Sequence, residues 1–164
     1  MNRLILCFFI LISHLESSPV DRFNEFILQD LIYKQVSLND KKNKIDESYG
    51  VINRLDSHIS ILVEKPFKER YLIFADVIEI YDFDFNQTRI IEINENDLGV
   101  IVDFLKNGID DQYDISNMTN KSFNFIKDEK NILINFLPNE DMQISFLDNI
   151  GIKNLITFSK IWIL

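Results

Sequence analysis

The sequence predicts a single α+β domain, an antiparallel β-sheet with two or three packed helices. Three observations carry this expectation. Residues 122–147 hold three short alternating apolar runs separated by turn-forming links, which only antiparallel hairpins can join. Two stretches, 19–34 and 96–108, repeat their apolar residues at helical spacing. A chain of 164 residues with 46% apolar content is long enough to bury one ordinary core and too short for two.

The chain divides into an apolar leader, 1–18, and a single domain, 19–164. After Met1-Asn2-Arg3 come nine consecutive apolar residues, 4–12, and then Ser13-His14-Leu15-Glu16-Ser17-Ser18-Pro19. A positive start, a short apolar run and small residues at 17–18 outline a secretory signal peptide, but Leu15, Glu16 and Pro19 fit a cleavage site poorly. Nine residues cover about half of what a membrane-spanning helix needs. A buried first core element describes the run equally well. It is slightly favoured, which places the protein in the cytoplasm ahead of secretion.

Next, Val20, Phe23, Phe26, Ile27 and Leu31 predict a helix over 19–34, with Ser18 as cap, Pro19 at the first helical position and Asp21 in the first turn. Residues 37–48 are polar and read as an exposed loop. The stretch 51–64 mixes helical spacing with a strand-like end, and Pro66 closes it. Residues 71–85 and 89–94 then read as two strands of a hairpin around Asn86-Gln87-Thr88. A three-residue loop places Tyr81, Phe83, Ile91 and Ile93 on the core face and sets Asp82 opposite Glu92 on the other. Like charges in that arrangement repel.

A second helix is expected over 96–108, capped by Asn96, started by Asp97 and stopped by Gly108, with Asp103 exposed. Residues 110–121 read as a loop. Strands follow near 122–127, 132–137 and 142–147, and the tail 150–164 closes on the core as a helix or strand.

Charge provides the main functional clue. Residues 71–111 carry ten carboxylates against Arg89 and Lys106, a local charge of −8 within a total of −9. Such a field repels nucleic acid and anionic membranes and attracts cationic partners. Catalytic signatures are weak beside it. His14 and His58 lack motif context, Cys7 is alone within the apolar run, and four glycines form no phosphate-binding loop. Asp82-Phe83-Asp84-Phe85-Asn86 opens like a calcium loop, but Gln87 and Ile93 stand where its glycine and closing glutamate belong. Neither a metal nor another cofactor is therefore expected.

These features predict a non-enzymatic, acidic protein-binding protein of the inhibitor or immunity type. It would cover a basic protein surface, such as that of a toxin or nucleic-acid-binding enzyme, through Asp82, Asp84, Glu92, Glu95, Asp97 and Asp103. One alternative is a secreted or envelope structural or host-interaction protein with a cleaved leader. Another is a carboxylate-dependent hydrolase.

Overall fold

A computed structural model describes residues 17–39, 44–93, 100–110, 113–127, 129–148 and 150–161. These form one antiparallel sheet of eleven strands, with two short helices among the described residues. The chain is therefore mainly β. The expected α+β class overstated the helices, because several apolar spacings compatible with a helix belong to strands.

Helix α1 (Pro19–Ile27) starts as expected. The Ser18 hydroxyl accepts from the Asp21 N–H at 3.1 Å, and the Asp21 carboxylate accepts from the Ser18 N–H at 3.2 Å. The helix is shorter than predicted because the chain turns at Leu28 and becomes extended at Leu31. Strand β1 (Leu31–Asn39) turns Leu31 and Tyr33 inward, while β2 (Lys44–Arg54) contributes Gly50 and Ile52 beside them. The polar stretch read as a loop thus supplies the outer ends of two strands. Strand β3 (Ile59–Lys65) follows, with Ile59, Ile61 and Val63 on the inner face.

Residues 71–85 do not form one strand. Strand β4 (Glu69–Ile73) and strand β5 (Val77–Asp82) meet at a turn where the Phe74 N–H donates to the Val77 carbonyl at 2.9 Å. Strand β6 (Gln87–Glu92) pairs with β5 in the register Asp82↔Gln87 to Val77↔Glu92. Four residues lie between β5 and β6, so the parity differs from the three-residue expectation. Ile78 and Ile80 face the core, Tyr81 lies on the opposite face, and Asp82 does not face Glu92.

Helix α2 (Val100–Asn107) ends as predicted: Gly108 has φ +69°, and its N–H donates to the Phe104 carbonyl at 3.0 Å. The expected cap Asn96 and first-turn Asp97 lie outside the described residues. Strand β7 (Ile115–Ser116) interrupts the stretch read as a loop. Strands β8 (Ser122–Lys127), β9 (Lys130–Phe136) and β10 (Met142–Leu147) match their alternating runs closely. Strand β11 (Lys153–Lys160) decides the tail in favour of a strand, although Trp162 lies outside the described residues.

The topology is two meanders joined at the middle, in the order β6-β5-β4-β3-β2-β1-β11-β10-β9-β8-β7. One sheet face carries the core. Over the β7–β11 half, Phe23 of α1 meets Phe104 of α2 and Phe123 of β8 edge to face, at centroid separations of 5.9 and 6.1 Å. Phe104 meets Phe125 similarly at 5.3 Å. Contacts of this geometry contribute about 0.5–1.5 kcal/mol each beyond burial.

Candidate functional site: an apolar groove under the second helix

The register brings side chains from β11, β1, β2, β3 and β4 onto one face. There Tyr33, Ile52, Ile61, Val63, Tyr71, Ile156 and Phe158 line a cavity of about 370 Å³, with Val102 of α2 on its other side. This lies at the small end of the roughly 300–1,000 Å³ range of ligand pockets. Gly50 lets one of its walls, the Tyr33 ring, pack against β2. A Cβ there would overlap the Leu62 carbonyl oxygen and approach the Tyr33 ring to 2.9 Å, so only glycine lets that ring lie across β2.

A few polar groups interrupt the apolar lining. Gln35 and Ser48 face each other across β1 and β2, with the Tyr33 hydroxyl 3.5 Å from the Ser48 hydroxyl. Glu69 and Tyr71 share the inner face of β4, where the Tyr71 hydroxyl donates to Glu69 Oε2 at 2.5 Å. Arg89 approaches the other oxygen, Oε1, at 3.6 Å. Burial raises the Tyr71 phenol well above its usual pKa, and the hydrogen bond to Glu69 and that carboxylate's charge push it further, against Arg89. Burial also raises Tyr33. Both phenols therefore remain neutral donors at physiological pH. Gln35, Ser48, Tyr33 and Glu69 occupy the sheet rows nearest Pro66 and Phe67, which also line the cavity.

Helix α2 is tied down by polar bonds as well as packing. Asp103 is only 7% exposed, contrary to its expected surface position. Its carboxylate pairs with the Lys127 ammonium and accepts from Tyr113 Oη at 3.1 Å and Asn107 Nδ2 at 2.7 Å. This satisfies the charge internally, so Asp103 is unavailable as a surface contact. Arg54 donates through Nε to the Ile27 carbonyl at 2.8 Å and through Nη2 to the Leu105 carbonyl at 2.6 Å. Asn24 exchanges two hydrogen bonds with the Ile109 backbone, at 2.8 and 2.9 Å.

Of the carboxylates expected to form a single face, the four among the described residues lie in different places. Asp82 and Asp84 sit at the turn between β5 and β6, where Asp82 Oδ1 accepts from the N–H groups of Asp84 and Phe85 at 2.9 and 3.1 Å. The calcium-like motif therefore uses its first carboxylate to shape its own turn. Glu92 ends β6, while Glu95 and Asp97 lie outside the described residues. His58 packs on Phe74 with ring centroids 5.0 Å apart. Cys7 and His14 are outside the described residues. No group of three His, Cys, Asp or Glu among the described residues is placed to hold a metal ion, and no described helix is long and apolar enough to cross a membrane.

The groove residues were missed because pairing, rather than local spacing, brings them together. Their available signal was the period-two run Ile59, Ile61, Val63 ahead of Tyr71 and Ile73. No family model matches the chain, and no curated protein matches it.

Proposed function

We propose that this protein is a non-enzymatic carrier that shelters an apolar chain, such as the acyl chain of a lipid or lipid-modified polypeptide, between the sheet and α2. The carrying observation is the cavity itself, with aliphatic and aromatic walls and a small set of polar groups beside Pro66 and Phe67. Apolar walls favour a hydrocarbon by removing its surface from water, at about 25 cal/mol per Å². Ser48 and Tyr33, whose hydroxyls meet only at 3.5 Å, supply hydrogen-bonding capacity for a polar head.

The test is a fluorescence titration with a long-chain fluorescent fatty acid. Saturable binding is expected. Val63→Trp, which fills the cavity from the sheet side, should weaken it at least about tenfold, equivalent to roughly 1.4 kcal/mol. Ile32→Trp on the opposite sheet face should leave binding unchanged. Absence of saturable binding, or equal binding by a folded Val63→Trp protein, would refute the assignment.

A further inference from the structure

We propose that the free edge of β6 receives an extended, cationic segment of a partner protein as an additional strand. This surface is separate from the apolar groove, and its occupation does not require a ligand there.

Strand β6 pairs with β5, and no strand pairs with its other edge among the described residues. All six residues from Gln87 to Glu92 are exposed. Because the Ile93 N–H donates to the Asp76 carbonyl, the antiparallel alternation directs the backbone groups of Arg89 and Ile91 toward β5. The N–H and C=O groups of Thr88, Ile90 and Glu92 consequently point to the free edge. They form a hydrogen-bonding template for an incoming strand.

Natural edges are commonly protected by shortness, lysine, proline or a bulge. At the sheet's other edge, β7 has only two residues. In contrast, β6 contains neither lysine nor proline and has a continuous register with β5. It also presents Ile90 at 66% exposure and Ile91 at 48%, on opposite faces. An added strand can therefore bury an apolar side chain on each face while satisfying the outward backbone groups.

Charge selects the partner. Glu79 and Glu92 lie on the same face as Ile90, and Asp82 and Asp84 stand at the adjoining turn. The only basic residue in β6, Arg89, lies on the other face near Glu69. A strand with lysines or arginines beside an apolar residue complements this arrangement. A second copy is less suitable, because it brings the same acidic edge and another net charge of −9.

The probe is a short synthetic peptide alternating lysine and valine, measured by calorimetry and amide hydrogen exchange at low salt. Binding should slow exchange at Thr88, Ile90 and Glu92 and weaken as salt rises. Ile90→Pro removes an outward N–H without taking a hydrogen bond from the β5 ladder, and should reduce affinity about tenfold or more. Glu79→Gln with Glu92→Gln should reduce it about threefold to tenfold while preserving the edge. Failure of the peptide to bind, protection elsewhere, or undiminished binding to folded Ile90→Pro would overturn the proposal. An Ile90→Pro-sensitive homodimer in sedimentation, without peptide binding, would assign the edge to a second copy and likewise overturn it. Fatty-acid binding by Ile90→Pro reports the groove separately.

Discussion

Arg54 and Leu105 are joined across the inner face of the sheet, the Arg54 Nη2 donating to the Leu105 carbonyl at 2.6 Å. The same guanidinium reaches the Ile27 carbonyl through Nε, so one side chain on β2 holds the C-terminal ends of both helices. The geometry suits Arg54 because several donors in a planar group can address separate carbonyls.

Replacing Arg54 with Met should remove both bonds and destabilise the protein by roughly 2–4 kcal/mol. Arg54→Lys should recover little of this loss, because an ammonium cannot reproduce the fork. Urea denaturation measures the stability change. Faster exchange at the C-terminal ends of both α1 and α2 would identify the loosening; wild-type stability in Arg54→Met would deny the clamp.

The Asp103 and Lys127 pair makes a different prediction. Lys127→Met leaves a buried carboxylate without its counter-ion and should cost about 3–5 kcal/mol. The double change Asp103→Leu with Lys127→Met should recover most of that loss, since removing both charges also removes their burial penalty. Denaturant unfolding of the two single variants and the double variant checks the coupling.

Gly50→Ala should destabilise the fold by about 2–3 kcal/mol through overpacking. The new methyl group would meet the Leu62 backbone, beside the bulge between β2 and β3, and the Tyr33 ring. Combining it with Tyr33→Leu should relieve only the ring contact. Thermal unfolding of the two proteins separates these contributions.

Alkaline pH provides a further test. Burial raises Tyr71 above the ordinary phenol value of about 10, and Tyr33 shifts the same way. Above that value the unfolded chain loses these protons before the folded chain does. Their contribution to stability is therefore present below pH 10 and falls as pH rises through the folded values. Tyr71→Phe should flatten the alkaline decline. Stability measured across that range, together with phenolate absorbance, checks the sign.

Much of the local structure was legible in the sequence. Ser18, Pro19 and Asp21 marked the start of α1 because capping is satisfied within a few residues. Gly108 marked the end of α2 for the same reason, and alternation located β8, β9 and β10. In 51–64, by contrast, Val51, Leu55, Ile59 and Leu62 have helical spacing, yet Ile52, Ile59, Ile61 and Val63 are the residues turned inward. A one-residue change of parity reverses the inner and outer faces of a strand.

The same limit governed the acidic stretch and the groove. Composition alone established its charge of −8, but its carboxylates acquired different roles only in three dimensions. Asp82 shapes a turn, Glu92 flanks an open edge, and Asp103 is buried against Lys127. Likewise, the sequence determined that an apolar core and alternating strands must form, since hydrophobic burial and period-two geometry are local demands. Tertiary pairing decided that β1 meets β11, bringing Tyr33 beside Phe158 and Gln35 beside Ile156. Those neighbours are more than a hundred residues apart, and only strand register places them on one surface.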